Sequence, residues 1–301
     1  MNKPHEYNRL LPSISNIFVA LPDKPEETPE SILNALWLLA MGQHVSAETS
    51  LNMDLQELSS TEKTNLNSYI ERWMSGEPLA HITKRQQFCN LEFFVDRQVL
   101  IPRKETEILA YAALDKISES HTATPIVLDI CTGCGNLPIV YKNRFPKASV
   151  YASDLSPDAI DLANINADHH QLSGLITFTI GDLLSPFEVM DLYNKVDVIT
   201  CNPPYISSKK VTTMDSVISL HEPSIAFDGG PFGVSILQRT ISESVKYIKP
   251  GGWLIIEVGV GQGRPIVKKL ERTSEYTNIE TKTDEFNQIR VIAAQRSNTN
   301  I

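Results

Sequence analysis

The segment Val196-Asp197-Val198-Ile199-Thr200-Cys201-Asn202-Pro203-Pro204-Tyr205 joins a mostly apolar run to two consecutive prolines. Its first six residues predict a buried strand. Neither proline can donate a backbone hydrogen bond, so the strand must end where they begin. Because a residue before proline is restricted to extended geometry, Asn202 is predicted to be held stiffly at the carboxyl end of the strand.

The side chain of Asn202 offers one acceptor oxygen and two donor hydrogens beside the aromatic ring of Tyr205. We interpret this arrangement as a device for gripping a flat group that carries an NH2. A plain Pro-Pro turn with a packed tyrosine is an equally good interpretation of the four residues alone, since motifs this short occur by chance.

Apolar runs that alternate with helical patterns occupy the second half of the sequence. Near-continuous apolar strands separated by helices predict a parallel sheet covered on both faces, an α/β fold. A Pro250-Gly251-Gly252 turn is predicted to introduce the fifth strand. The predicted strands are Ile126–Ile130, Ser149–Asp154, Ile176–Ile180, Val196–Cys201, Trp253–Val258 and a last pair near Thr277–Thr281 and Ile289–Ala294.

The first part of the chain, to about residue 75, predicts a small helical bundle without catalytic-looking residues. Residues 31–40 are apolar on most helical faces, and Ser60 or Thr61 is a plausible N-cap for a later helix. Aromatic and β-branched residues between Phe88 and Ile101 then predict a short hairpin that joins the two halves.

Distinctive residues follow the carboxyl ends of the predicted strands, which is where parallel sheets bind ligands. Asp129 opens a glycine-containing turn, Asp154 is placed to accept from ribose hydroxyls, and Asp182 is placed to accept from an adenine amino group. The turn lacks the G-x-G-x-x-G spacing of dinucleotide folds. Taken together, the strand ends predict an adenosine-containing cofactor, with candidate binding residues Asp129, Thr132, Gly133, Cys134, Gly135, Asp154, Leu155, Asp182, Leu183 and Asn202.

The composition is that of a globular protein with a core, since 42% of the 301 residues are hydrophobic and 21% are charged. A net charge of −9 argues against tight unspecific binding to nucleic acid or to an anionic membrane. Cys131 and Cys134 form a C-x-x-C without a second Cys/His pair, so no metal site is predicted. The amino terminus lacks a signal-peptide pattern and no run of about 18 apolar residues exists, so we expect a cytoplasmic protein.

Several motifs in a fixed order make the chain resemble the HemK/PrmC family, and its second half resembles a class I S-adenosylmethionine-dependent methyltransferase. The resemblance covers most of the sequence from about residue 76. The matching stretches are Gly76-Glu77-Pro78-Leu79-Ala80-His81, Leu100-Ile101-Pro102-Arg103 with Thr106-Glu107, the Asp129 turn, Asn202-Pro203-Pro204-Tyr205-Ile206, Glu222-Pro223 with Ala226, and Glu257 with Gly259 and Gln262-Gly263.

The resemblance implies an enzyme that methylates the side-chain amide nitrogen of the glutamine in the GGQ loop of peptide-chain release factors. It implies S-adenosylmethionine as cofactor, S-adenosylhomocysteine as product and a Rossmann-like, mostly parallel sheet with an antiparallel last strand. The implied domains are a helical substrate-binding domain (1–84), a β-hairpin linker (85–102) and the methyltransferase domain (103–301). The implied catalytic residues are Asn202, Pro203 and Tyr205, and the implied substrate contacts add Pro204, Arg103 and Glu107.

The sequence also departs from the family pattern. Cys131 and Cys134-Gly135-Asn136 loosen the usual D-x-G-x-G-x-G pattern, the R-P-x-T-E motif becomes Arg103-Lys104-Glu105-Thr106-Glu107, and Phe232 stands where an acid is common. These departures leave open a paralogue that methylates a small-molecule amide or amine.

Two more distant alternatives also stand. The same N-P-P-Y occurs in DNA amino-methyltransferases, but a DNA enzyme should carry a basic recognition domain. A cofactor-less interaction module would bind no S-adenosylmethionine.

Overall fold

The computed structural model describes residues 3–207, 222–223, 226–227, 229–230 and 233–298. Its internal contacts divide the chain into two compact units. The first unit contains the chain up to Arg97 together with Ile101–Lys104 and Glu222, and the second contains Gln98–Leu100 and the remaining described residues from Glu105 onward. Phe232 lies outside the described residues.

The first unit is built from helices around one buried element. The helices are α1 (His5–Ile17), α2 (Pro29–Ala40), α3 (Ala47–Ser50), α4 (Ser60–Met74) and α5 (Leu79–Thr83). Residues 31–40 of α2 are buried on every face, in agreement with the apolar run predicted there. Thr28 caps α2 because its side chain accepts from the backbone N–H of Ser31, and Pro29 occupies the first turn, where a missing donor costs nothing.

Two local expectations for this unit require correction. Helix α4 is capped by Ser59 and not by Ser60 or Thr61, since Ser59 and Glu62 form a reciprocal capping box. The hairpin strands are β1 (Arg85–Phe88) and β2 (Leu91–Phe94), so the predicted hairpin is present, but it starts before Phe88 and its second strand ends at Phe94, well before Ile101. Cys89 and Asn90 turn the chain between them with φ of 47° and 62°, a left-handed turn that the aromatic pattern does not reveal.

The second unit is a sheet with helices on its faces. Its strands are β3 (Ile126–Ile130), β4 (Ser149–Asp154), β5 (Ile176–Ile180), β6 (Val196–Cys201), β7 (Ile248–Glu257), β8 (Tyr276–Thr283) and β9 (Ile289–Arg296). Its helices are α6 (Glu107–Glu119), α7 (Asn136–Arg144), α8 (Pro157–His169), α9 (Ser235–Ser244) and α10 (Gly263–Glu271), with 3-10 turns at Lys104–Thr106 and Ser185–Phe187.

Within the described part of the chain the sheet has seven strands in the order β5-β4-β3-β6-β7-β9-β8. Strands β3 to β7 pair in parallel, and β9 runs antiparallel to both of its neighbours. The predicted Rossmann-like fold with an antiparallel last strand is therefore confirmed. The order reverses between β3 and β6, which is the place where such sheets bind ligands.

Strand β7 begins earlier than predicted. The residues Pro250-Gly251-Gly252 do not precede the strand but interrupt its pairing with β6, where the register shifts from Val196 opposite Ile248 to Val198 opposite Trp253. The turn residues thus form an irregularity inside the strand, which is where proline and glycine are tolerated in a sheet.

No helix among the described residues is long and apolar enough to cross a membrane. In the same part of the chain no group of three or more His, Cys, Asp or Glu side chains is arranged to hold a metal ion.

Candidate active site

The carboxyl ends of four adjacent strands supply the polar residues of the site. Strands β4, β3, β6 and β7 lie side by side and end at or near Asp154, Cys131, Asn202 and Glu257. Their register places Asp129 beside Thr200 and Ile130 beside Cys201. Residues separated by up to 128 positions in sequence, from Asp129 to Glu257, therefore lie at one edge of the sheet.

Asp154 ties the glycine turn after β3 to the end of β4. One carboxylate oxygen accepts from the backbone N–H of Gly133 at 2.8 Å, and the other accepts from that of Ser156 at 3.0 Å. Burial raises the pKa of Asp154 above its ordinary value, and these backbone donors oppose the rise. The carboxylate thus shapes the turn and still has lone pairs for a hydroxyl ligand.

The backbone of the turn explains its glycines. Gly133 and Gly135 have φ of 56° and 79°, and a Cβ added to Gly135 would lie 2.9 Å from the Cβ of Ala163 in α8. Cys131, at the position where the family has glycine, is also left-handed with φ of 59°. A hydrogen bond with the Cys201 thiol, and then burial, raise the pKa of Cys131 well above its ordinary value, so this thiol is held protonated.

Asp129 is fully buried at the end of β3. The Thr200 hydroxyl donates to its Oδ1 at 2.6 Å, whereas its Oδ2 meets no partner with full hydrogen-bond geometry. Burial raises the pKa of Asp129 to about 7, against the opposing effect of the Thr132 and Thr200 hydroxyls. A buried carboxyl with one unsatisfied oxygen is a fitting partner for a cationic group of a cofactor.

The acid after β5 was predicted to contact adenine, which stays a prediction, and in the structure it pairs with a basic side chain. Both carboxylate oxygens of Asp182 pair with Arg239 of α9, at 3.2 and 2.9 Å, and the side chain is about half exposed. Leu183 is buried in the core, and its carbonyl accepts from the Ser153 hydroxyl at 2.6 Å. Leu155, by contrast, exposes 56% of its surface next to Asp154 and offers an apolar face.

The carboxamide of Asn202 is oriented by the 3-10 turn before α6. Its Nδ2 donates to Thr106 Oγ1 at 3.2 Å. Pro203 is buried and Pro204 is half-buried, so the chain leaves the sheet along a fixed path. The amide oxygen of Asn202 is therefore not used in this hydrogen bond.

The hydroxyl of Tyr205 contacts a cluster of charged side chains. Its hydroxyl donates to Glu257 Oε1 at 3.2 Å and lies 3.4 Å from Glu105, while Arg290 binds both oxygens of Glu105 at 2.8 Å. Burial and then the Glu105 carboxylate raise the pKa of Glu257 to about 7. Burial and the neighbouring Glu257 raise the pKa of Tyr205 well above its ordinary value, so the phenol keeps its proton.

Three glycines let other segments press against the N-P-P-Y backbone. A Cβ on Gly229 would overlap the Pro204 carbonyl, one on Gly233 would overlap the Tyr205 carbonyl, and one on Gly259 would lie 2.9 Å from the Tyr205 ring. The Gln262 side chain also donates to the Tyr205 carbonyl at 2.8 Å. The backbone that carries the motif is thus clamped from several sides.

The two other predicted substrate contacts fall in different units. Arg103 belongs to the first unit, where it pairs with Glu222 and lies 3.6 Å from Asp23. Glu107 begins α6 in the second unit, where its charge favours the helix N-terminus. Whether either residue touches a substrate stays a prediction.

Sequence reasoning gave no role to four residues of the site: Glu105, Thr106, Glu257 and Arg290. Glu257 carried a local signal, because an acid directly after four apolar residues marks a strand end. Arg290 carried a weaker one, a lone charge at the start of an otherwise apolar strand. Neither signal says that the two side chains meet behind Tyr205.

The sequence and the fold of this chain are both similar to those of known methyltransferases. A family model described as "Methyltransferase small domain" matches residues 106–229. The fold is similar to the crystal structure of the N-terminal domain of human METTL16 in complex with SAH, with a TM-score of 0.52, 16% identity and coverage of 75% of this chain and 83% of that one.

Proteins found by sequence comparison are more similar to this chain in sequence than the METTL16 domain is. A protein of Geobacter sulfurreducens named "Release factor glutamine methyltransferase" is 32% identical over 247 residues, which are 82% of this chain and 81% of that protein. A protein of Koribacter versatilis with the same name is 30% identical over 270 residues, 90% of this chain and 93% of that one. The predicted family resemblance is thereby confirmed: this chain belongs to the family of release factor glutamine methyltransferases.

Proposed function

We propose that this protein transfers the methyl group of S-adenosylmethionine to the side-chain amide nitrogen of the GGQ-loop glutamine in a peptide-chain release factor, with S-adenosylhomocysteine as the other product. The observation that carries the proposal is the Asn202 carboxamide, whose nitrogen is bound by Thr106 so that its oxygen is left for an acceptor NH2 group. The names of relatives aligned over most of their length support the same substrate.

A carboxamide nitrogen is a poor nucleophile because its lone pair is delocalised into the carbonyl. Asn202 Oδ1 and the Pro203 carbonyl would accept its two hydrogens, which fixes the nitrogen and directs its lone pair. Both acceptors bind more strongly as positive charge develops on the nitrogen, so they stabilise the transition state more than the ground state. No strong general base is needed, because the nitrogen loses a proton readily once it is methylated.

Tyr205 would pack against the flat amide of the substrate and exclude water. The Glu257 carboxylate holds its hydroxyl at 3.2 Å, and Gly259 allows the following loop to lie against its ring. Pro204, which lies between Pro203 and Tyr205 in the motif, would contribute an apolar contact to the substrate.

The residues at the other strand ends fit S-adenosylmethionine, which supplies an electrophilic methyl group when bound. Asp129 offers a buried carboxyl to its cationic end, Asp154 accepts from hydroxyls, and the glycines of the turn at Gly133 would let the cofactor approach the backbone closely. Leu155 would pack on the adenine. Asp182 would contact the adenine amino group only in addition to its pair with Arg239.

The helical residues 1–84 would help to bind the release factor, the hairpin segment 85–102 would link them to the methyltransferase residues 103–301, and the reaction would take place in the cytoplasm. The similarity to the Koribacter protein extends over 270 residues of this chain, more than the methyltransferase part alone, and so supports a shared protein substrate. Arg103 and Glu107 stay predicted substrate contacts within this proposal.

The decisive experiment incubates the full-length protein with methyl-labelled S-adenosylmethionine and a purified release factor. Mass spectrometry is expected to find one added methyl group on the GGQ glutamine. A release factor whose GGQ glutamine is replaced by glutamate is the matched control and should stay unlabelled. Absence of label from the intact release factor, together with methylation of a small metabolite or of DNA, would overturn the proposal.

A further inference from the structure

The direction of the Asn202 carboxamide depends on one neighbour. Rotating a carboxamide by 180° exchanges its oxygen and its NH2, which have nearly the same shape, so hydrogen-bond partners alone decide which of them faces the substrate. Here the partner is Thr106 Oγ1, 3.2 Å from Asn202 Nδ2. Thr106 is only 3% exposed, so bulk water does not compete for its hydroxyl.

A hydroxyl can donate or accept, so Thr106 selects one direction only if its own proton is committed elsewhere. Glu257 supplies the acceptor: its side chain is 1% exposed, and its carboxyl group keeps acceptor lone pairs in either protonation state. Glu257 Oε2 is buried and meets no partner with full hydrogen-bond geometry, and the Thr106 hydroxyl lowers the pKa of this carboxyl group, against the effect of burial. The lone pair of Thr106 is then left to accept from the Asn202 nitrogen.

Glu257, the last residue in this series of contacts, is itself held in place by its neighbours. Glu257 Oε1 accepts from the Tyr205 hydroxyl at 3.2 Å and lies 3.9 Å from Arg290, which is bound to Glu105 through two nitrogen–oxygen contacts of 2.8 Å. One buried carboxylate therefore orients both the tyrosine and, through Thr106, the asparagine of the N-P-P-Y motif.

We propose that Thr106 is a positioning residue which, with Glu257 as its anchor, turns the oxygen of the Asn202 carboxamide toward the methyl acceptor. This inference rests on the proposed function, in which Asn202 Oδ1 accepts a hydrogen from the substrate amide. It assigns a part in the reaction to a residue that does not itself touch the reacting atoms.

The test is the Thr106→Val variant, which keeps the shape of the side chain and removes its hydroxyl. Loss of one orienting hydrogen bond should lower kcat about tenfold. The KM for S-adenosylmethionine should stay within about twofold, since Asn202 acts mainly in the transition state. Thr106→Ser restores the hydroxyl and should recover kcat to within about threefold of the wild type.

Thr240→Val is the matched control. Thr240 is also fully buried in the second unit, but its hydroxyl contacts the Cys201 sulfur at 3.8 Å and does not contact the Asn202 amide. It removes a buried hydroxyl of the same kind, so its kcat should stay within about twofold of the wild type. An equal loss of kcat in Thr240→Val and Thr106→Val would show that the effect is structural and would overturn the proposal.

A double-mutant cycle separates positioning from a general loss of structure. In an Asn202→Ala background there is no carboxamide to orient, so Thr106→Val should change the residual rate of label transfer by less than about twofold. The same tenfold loss in both backgrounds would refute the positioning role. If the wild-type protein leaves the release factor unlabelled, the proposed function itself fails; a labelled release factor with an unimpaired Thr106→Val enzyme refutes this inference alone.

Discussion

Replacing Gly135 by alanine tests whether the cofactor turn is held in place by close packing. Gly135 has φ of 79°, and an added Cβ would lie 2.9 Å from the Cβ of Ala163, 3.2 Å from its Cα and 3.3 Å from the Phe178 ring. A left-handed alanine costs about 1 kcal/mol, and moving packed atoms apart costs about 1–3 kcal/mol more. The free energy of unfolding should therefore fall by about 2–4 kcal/mol.

Gly174→Ala is the matched control for this prediction. Gly174 has a similar φ of 70°, lies in the same unit and has no atom within 4 Å of an added Cβ. It should lose only the backbone part, about 1 kcal/mol. The difference between the two variants then isolates the steric contact of Gly135 with α8.

The assay is urea unfolding of the full-length variants, followed by circular dichroism, with the m value as a check that the same transition is compared. Binding of S-adenosylmethionine, measured by calorimetry, should weaken in Gly135→Ala and stay unchanged in Gly174→Ala. If the two variants lose the same free energy of unfolding within about 0.5 kcal/mol, the reasoning is refuted, because the contact between the added Cβ and Ala163 would then have no measurable cost.

Three further predictions follow from the site. Asn202→Ala should lower kcat at least about a hundredfold while cofactor affinity stays within about twofold; equal losses in both would contradict the assigned role. Because the pKa of Asp129 is raised to about 7, binding of the cationic cofactor at pH 6.5 should release up to about 0.8 proton. Calorimetry in buffers of different ionisation enthalpy measures this release, which should disappear in the Asp129→Asn variant. Arg290→Met should lower the free energy of unfolding by about 3 kcal/mol at pH 8. The raised pKa of Glu257, about 7, means that its protonation relieves this penalty on acidification, so unfolding at pH 5.5 should show a smaller deficit; a loss that is independent of pH would argue against uncompensated carboxylates as its cause.

The strands around the site could be predicted from the sequence because their signals are local. Residues 196–201 form a strand with the predicted ends, since a mostly apolar run stops one residue before two prolines that cannot donate a backbone hydrogen bond. The Pro250-Gly251-Gly252 segment was misplaced for the opposite reason. Its residues are turn formers, but pairing on both sides of them keeps the segment inside β7 as a local irregularity.

The cluster behind Tyr205 could not be predicted in this way. The ion pair of Glu105 with Arg290 joins residues 185 positions apart, and nothing near either residue indicates the other. The role of Thr106 was hidden similarly, because a threonine before a helix predicts a cap, whereas in the structure its side chain makes no capping hydrogen bond and binds Asn202. Burial and long-range pairing, which decide such contacts, follow from the tertiary fold and not from spacing.

The position of β9 has a consequence for how this protein is made. Residues 289–296 lie late in the sequence, yet they fill the place between β7 and β8 and bring Arg290 to the site. A nascent chain on the ribosome that has not yet emerged beyond Thr283 leaves the apolar edge of β7 unpaired, and such an edge invites aggregation. We expect stalled chains that end there to be cleaved by protease far faster than chains extended past β9, so the cell cannot obtain a working methyl-transfer site from an unfinished copy.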